Sequence, residues 1–297
     1  MNILGYDGIW EGHADSPFKE RYLDLIREAG FRHVRINLHA FKYMDSSGDL
    51  NPLVVARLDR VIDRVIAHDL VPVLDEHDFH FCQSNPAGCD ARLSAFWGQM
   101  SRHYSGKAPS MLFELLNEPG GSMTAASWND LAQRLLGRIR EVDPARTVIV
   151  AALNTESPTE LDKLVLPASD RNVILTFHYY KPFKFTHQGA PWSQKMSNVR
   201  NVVWGDDADK QQLRTDFDRI EEIARQQGRP VYLGEFGVLE TADINSRTSY
   251  LSWITQEANG RRWPWAYWQF DHDFALFDTS KERWVSPVLK ALKMHPG

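Results

Sequence analysis

The feature that most constrains this chain is a recurrence of short, unbroken apolar runs separated by longer amphipathic stretches. Val71-Pro72-Val73-Leu74, Val148-Ile149-Val150 and Val173-Ile174-Leu175 are apolar throughout rather than alternating. A strand reads this way when both of its faces are covered, as in a parallel sheet flanked by helices. Candidate strands end near Tyr6, Asn37, Glu76, Asn117, Ala151, His178, Glu235 and Phe270. Between them the helical period returns: Leu58, Val61, Ile62, Val65 and Ile66 share one helix face, as do Leu213, Phe217, Ile220, Ile223 and Ala224. Gly30 and Gly228-Arg229-Pro230 stand where helices should stop. Strand and helix alternating in this way predict an α/β chain folded as a single (β/α)8 TIM barrel. Its 297 residues suit an architecture of roughly 250 residues with some long loops. No linker or low-complexity stretch divides residues 1–297, so one domain is expected.

The segments after strands are long (38–51, 77–91 and 181–209), whereas those entering strands are short, such as Ala29-Gly30-Phe31-Arg32. In a (β/α)8 barrel the post-strand loops build the active face, so that is the end where function is expected.

A net charge of −5 gives no reason to expect nucleic acid as a partner. The apolar stretches are too short for a membrane span. Ten Trp, nine Tyr and fifteen Phe are more telling: most should pack in the core, but aromatic faces in loops suit the C–H faces of sugar rings. Met1-Asn2-Ile3-Leu4-Gly5 leads directly into a strand rather than opening a signal peptide. The protein is therefore expected either to be intracellular or to have lost a targeting segment. Cys82 and Cys89 flank Asn85-Pro86-Ala87-Gly88. A local disulfide and two free thiols are both open, and the disulfide would favour an oxidising compartment. No zinc-ligand spacing accompanies them.

Two carboxylates close apolar strands. Phe113-Glu114-Leu115-Leu116-Asn117-Glu118-Pro119 ends the fourth, and Val231-Tyr232-Leu233-Gly234-Glu235-Phe236-Gly237 ends the seventh. A lone glutamate at such a position could equally be a cap or a structural ion pair. The pair says more. They stand about 117 residues apart, about three βα units, which puts them on strands facing one another across a barrel mouth. Two carboxyls about 5–5.5 Å apart suit a retaining double displacement. Simple alternation would point Asn117 and Glu118 in opposite directions, so both can serve one site only if the strand breaks or bulges there.

With Asn117-Glu118-Pro119 and Gly234-Glu235-Phe236-Gly237 in this order on these strands, the chain resembles glycoside hydrolase family 5, the cellulase family. The likeness runs from Gly30-Phe31-Arg32-His33-Val34-Arg35-Ile36 to Trp268. It implies a retaining endo-β-1,4-glucanase acting on cellulose-like or mixed-linkage β-glucan, with Glu118 as acid/base and Glu235 as nucleophile. It implies Arg35 beside the nucleophile, where a fixed cation would lower the pKa of Glu235. His77 would bind the −1 sugar and Asn117 its 2-hydroxyl. Tyr180, in Phe177-His178-Tyr179-Tyr180, would hydrogen-bond Glu235, with His178 near Glu118. Trp268 would form the platform beneath the −1 sugar. Tyr180-Lys181-Pro182-Phe183-Lys184-Phe185-Thr186-His187-Gln188 resembles a loop of some members, with Trp192 as an extra stacking surface. The resemblance implies no cofactor, and a monomer is expected, secreted or periplasmic if a targeting segment has been removed.

One departure stands out. Many members carry His-His on strand three, whereas His77 is followed here by Asp78. Asp75, Glu76, His77, Asp78 and His80 also crowd together, which raises a metal-dependent barrel hydrolase as a second reading. Alternation scatters these side chains over both faces, so no metal is expected. A non-catalytic sugar-binding barrel is a third reading, opposed by the presence of the whole catalytic set. Mannan, xyloglucan or β-1,3-glucan would use the same residues as β-1,4-glucan, because specificity lies in outer loops.

Overall fold

A computed structural model of the chain describes residues 1–3, 19–155 and 158–293. Its elements in chain order begin with β1 (Asn2–Ile3), α1 (Arg21–Glu28), β2 (His33–Leu38), a 3-10 turn (Phe41–Tyr43), α2 (Pro52–Ala67) and β3 (Val71–Glu76). Next come α3 (Phe79–Ser84), α4 (Pro86–Tyr104), β4 (Leu112–Glu114), α5 (Ala125–Val142), β5 (Val148–Ala151), α6 (Pro158–Leu161) and β6 (Val173–Tyr179). The remainder is α7 (Phe183–Thr186), α8 (Asp207–Gln227), β7 (Val231–Phe236), α9 (Ile244–Gly260), a hairpin of β8 (Phe277–Asp278) and β9 (Arg283–Trp284), and α10 (Ser286–Lys293). This is the α/β succession of a (β/α)8 barrel. The strand end expected at Tyr6 lies outside the described residues.

By internal packing the chain falls into two compact units. One comprises Ile3–Thr155 and Thr159–Thr176; the other comprises Met1–Asn2, Glu156–Pro158 and Phe177–Gly297.

In the first unit β2, β3, β4, β5 and the start of β6 pair in parallel, each with the next in sequence. The register aligns Asn37 with Asp75 and Asp75 with Glu114. Because side chains alternate along a strand, Arg35, Asn37, Asp75, His77 and Glu114 share one face. The opposite face, apolar apart from the buried Glu76, is covered by helices. On α2 the residues Val54, Leu58, Ile62 and Val65 are buried, and each buried aliphatic contributes about 1.5–3 kcal/mol of transfer free energy. Asn51 caps that helix and Pro52 opens it. Two tryptophans use the predicted core position for a second purpose: Trp97 Nε1 donates to the Leu115 carbonyl and Trp128 Nε1 to that of Ala151, at 2.9 and 2.8 Å.

Two expectations are corrected here. The fourth strand was expected to end near Asn117; its regular part stops at Glu114, although Leu115 N–H still donates to Ile149 O and Asn117 N–H to Glu76 O. The segment 77–91 was expected to be a loop, but most of it is helical. Asn85 accepts from the Gly88 N–H, and Pro86 opens α4, so the Asn-Pro pair starts a helix instead of marking a turn.

The second unit holds the end of β6 together with β7. The eighth expected strand is an irregular segment that still makes ladder bonds. Leu233 N–H donates to Pro264 O, Ala266 N–H to Leu233 O and Trp268 N–H to Phe236 O. On its other edge Asn2 N–H donates to Tyr267 O and Phe270 N–H to Asn2 O. Asp206 caps α8, and Gly228 ends it at φ 60°, left-handed as a helix-terminating glycine should be. Leu213, Phe217, Ile220, Ile223 and Ala224 are buried along α8. The long segment 181–209 contains α7 and a series of turns, and it buries Phe185, Thr186 and Gln188. Among the described residues no helix is long and apolar enough to cross a membrane.

Cys82 and Cys89 form a disulfide that ties α3 to the first turn of α4, across a sequence separation of 7. Both cysteines are fully buried. Closing so short a loop removes unfolded-state entropy worth about 2–3 kcal/mol. Melting with excess dithiothreitol is therefore expected to lower Tm by about 5 °C relative to the oxidised protein; an unchanged midpoint would show that the bond does not brace the fold.

Candidate active site

In the first unit the strand ends carry a buried polar network. Arg35, fully buried on β2, donates from Nε to Glu114 Oε2 at 2.7 Å and from Nη2 to Glu114 Oε1 at 2.9 Å. Its Nη2 also reaches Asn117 Oδ1 at 2.9 Å and Asp75 Oδ1 at 3.2 Å. A guanidinium can be buried only if its donors are satisfied and its charge is paired, and this fork does both. Glu114 and Asp75 were missed as site residues. The available signal was an acidic residue inside an otherwise apolar strand, which a core cannot accept without a cationic partner.

His77 Nδ1 lies 2.6 Å from Asp75 Oδ2, which also accepts from Asn37 Nδ2 at 2.9 Å. Asp75 Oδ2 is thus placed to accept the Nδ1–H of His77, which fixes the orientation of the ring. Asp78, standing where a second histidine was expected, accepts the Phe41 N–H at 2.8 Å and lies 3.6 Å from His39 Nδ1. Burial pushes Glu76 well above the usual carboxylate range, and the charge of Asp78 adds to the effect. The acidic crowd on strand three is thus committed to Arg35, His77 and Asp78.

Asn117 is tied to β3 by its N–H, which donates to the Glu76 carbonyl at 2.8 Å. At the next residue the backbone turns: Glu118 has φ +38°. A left-handed conformation at a non-glycine residue costs on the order of 1–3 kcal/mol and persists only where neighbours enforce it. It breaks the alternation, which is the condition under which Asn117 and Glu118 can face one site. Glu118 remains half-buried. Burial is the main cause pushing its carboxyl up to about 7; the charges of Asp75 and Glu114 add to the rise, while Arg35 and His80 oppose it.

In the second unit the strand ends carry a separate constellation. Glu235, on β7, is 4% exposed. Tyr180 Oη donates to its Oε2 at 2.9 Å, and His178 Nδ1 lies 3.5 Å from the same oxygen. Gly237 follows because a Cβ there would collide with the Trp268 carbonyl oxygen. That close approach requires glycine after the Glu-Phe pair. Trp268 is partly buried against a cluster of Tyr180, Ala190, Met196, Leu239 and Phe274. Trp192 is 54% exposed, with its ring centroid 6.4 Å from that of Phe274. Phe274 was missed by sequence reasoning, because an aromatic in a chain with fifteen phenylalanines gives no local hint that it supports a tryptophan.

The profile of the cellulase family (glycosyl hydrolase family 5) matches residues 1–273. Endoglucanase H of Acetivibrio thermocellus is 28% identical over 98% of this chain, which spans only 31% of that protein's length. The crystal structure of endoglucanase Cel5A from the hyperthermophilic Thermotoga maritima is 34% identical, with a TM-score of 0.92 over 98% of this chain and 95% of that one. A structure of Thermotoga maritima Cel5A in complex with mannotriose is 32% identical, with a TM-score of 0.90 over 98% and 96% of the two chains.

Proposed function

This chain belongs to the cellulase family, glycosyl hydrolase family 5, and on that premise we propose that it is a retaining, endo-acting hydrolase of β-1,4-glucosidic bonds in cellulose-like or mixed-linkage β-glucan. Residues 1–297 act as one catalytic domain, and the protein works as a monomer. Glu235 is the nucleophile and Glu118 the acid/base.

The observation that carries the reading is the backbone turn at Glu118, whose φ of +38° takes this carboxyl out of the strand alternation beside Asn117. A carboxyl pushed up to about 7 still holds its proton in mildly acidic solution, which is what protonation of a departing glycosidic oxygen requires. In the first step Glu235, as an anion, attacks the anomeric carbon and the glycosidic C–O bond breaks. Glu118 gives its proton to the leaving oxygen. In the second step Glu118 takes a proton from water, whose oxygen displaces Glu235 from the sugar. Tyr180 pins Oε2 of Glu235 and so fixes the orientation of the carboxylate.

Asn117 accepts from Arg35 through Oδ1, so its amide N–H groups are the ones to donate to the 2-hydroxyl, a contact that strengthens in the transition state. Arg35 supplies the fixed positive charge that favours an ionised carboxylate nearby. His77 binds the −1 sugar. Trp268 lies under the −1 sugar, His178 orients the Glu235 carboxylate, and Trp192 stacks on an outer sugar. The disulfide supports work outside the reducing cytosol, as a secreted protein.

Mannan is the second reading, favoured by the mannotriose complex of Thermotoga maritima Cel5A. Reducing-end release compared across β-1,4-glucan, mixed-linkage glucan, mannan, xyloglucan and β-1,3-glucan decides between them, with the fastest release expected from the first two. Proton NMR of the first product should show the β-anomer ahead of mutarotation. An α-anomer appearing first would overturn the double displacement.

A further inference from the structure

The left-handed turn at Glu118 lies just past the last ladder bond of its strand, from Asn117 N–H to Glu76 O, and has to be held by something else. The grip comes from α3. Gln83 Nε2 donates to the Glu118 carbonyl at 3.1 Å. The Gln83 carbonyl in turn accepts from Ser122 twice, from N–H at 2.9 Å and from Oγ at 2.6 Å. One residue therefore holds both ends of the segment 118–122.

The segment is also seated tightly on that residue. Gly121 has φ +62°, and a Cβ there would come within 2.5 Å of Gln83 Cβ and 2.6 Å of its carbonyl oxygen. On the far side Asn154 N–H donates to the Pro119 carbonyl at 2.9 Å. The neighbour of Gln83 in sequence is Cys82, so the helix making the grip is bonded covalently to α4. Glu118 is thus aimed by main-chain contacts to a braced helix.

We propose that Gln83 is a positioning residue for Glu118: its amide donor and its carbonyl, on the disulfide-tied helix α3, lock segment 118–122 and so fix where the acid/base carboxyl points. The proposal rests on the assignment of Glu118 given above. A carboxyl displaced by about 1 Å from its proton-transfer geometry can lose on the order of 100-fold in rate. Loss of the donor therefore damages the step that needs the acid far more than the step that does not.

The test uses two substrates of the full chain, one with a poor leaving group (a β-glucan oligosaccharide) and one with an activated leaving group (a dinitrophenyl β-cellobioside). The first-step rates are measured for the unmodified protein, Gln83→Met and Glu118→Gln. Gln83→Met keeps the length and apolar stem but loses the donor. It is expected to lower the rate about 10- to 100-fold on the oligosaccharide and less than about twofold on the dinitrophenyl glycoside, with KM little changed. Glu118→Gln should show the same selectivity with a larger loss.

Equal losses on both substrates in Gln83→Met, with Glu118→Gln still selective, would overturn the role of Gln83 and leave the acid/base assignment standing. Equal losses in Glu118→Gln would overturn the assignment itself, and the proposal with it. If Gln83→Met does not fold, Gln83→Asn carries the same comparison, because it keeps an amide that is one methylene too short to reach Glu118. A folded Gln83→Asn without selectivity overturns the proposal.

Discussion

Glu235→Gln is expected to remove turnover on every glycoside, by on the order of 10⁴-fold or more, whatever the leaving group. An amide has no anionic oxygen to attack the anomeric carbon, so no glycosyl-enzyme forms. The fold should survive the change, since glutamine is nearly isosteric and its carbonyl can still accept from Tyr180, now 2.9 Å from Glu235 Oε2. Substrate binding should survive with it. The measurements are single-turnover rates on a dinitrophenyl glycoside, a thermal melt, and mass spectrometry with a slowly turning-over 2-fluoro glycoside. The unmodified protein should gain the mass of the sugar, and Glu235→Gln should not. A variant that kept a tenth of the activity on any glycoside, or that still trapped the sugar, would dismiss Glu235 as nucleophile.

Glu118→Gln has the second largest expected effect, and the loss depends on the substrate. On polysaccharide the loss should be on the order of 10²–10⁴-fold, the usual worth of a positioned proton donor. On a dinitrophenyl glycoside the first step should be nearly intact, and hydrolysis of the intermediate becomes limiting because no base activates water. The pH dependence follows from the environment of Glu118. Burial, helped by Asp75 and Glu114, pushes its carboxyl up to about 7. The active form of Glu118 is the protonated one, so as long as Glu235 stays ionised the rate on polysaccharide should be full below that value and fall as pH rises through about 7. In Glu118→Gln acting on the dinitrophenyl substrate, this alkaline limb should vanish from the first step. A limb that persisted at the same pH would belong to another group and would dismiss Glu118 as the acid.

The buried arginine shows how far strand patterns carry and where they stop. An arginine between Val34 and Ile36 on an apolar strand had to be satisfied in the interior, and it lies within β2 rather than at its end. Its bidentate partner was not visible from periodicity. Glu114 lies on a strand two places away, brought level through the pairing of Asn37 with Asp75 and Asp75 with Glu114. Register between parallel strands is set by helix packing and loop length, which no local window contains. The stretch 77–91 failed for a different reason. Asn85-Pro86 and Gly88 carry turn chemistry, but the same asparagine caps a helix when apolar residues such as Leu93, Phe96 and Trp97 have a core to enter.

Sequence alone determined the order of strands and helices, the buried faces of α2 and α8, and two glutamates at the ends of the fourth and seventh apolar runs. All of these follow from short-range periodicity and from stop signals acting within one turn of the chain. Tertiary structure alone decided that Glu118 leaves its strand in a left-handed turn, that Gln83 on a disulfide-tied helix holds it there, and that Arg35 is shared among Glu114, Asp75 and Asn117. Each of these joins groups distant in sequence whose burial is tolerable only when charge and hydrogen bonds are satisfied together, and that condition is met by packing rather than by any one segment.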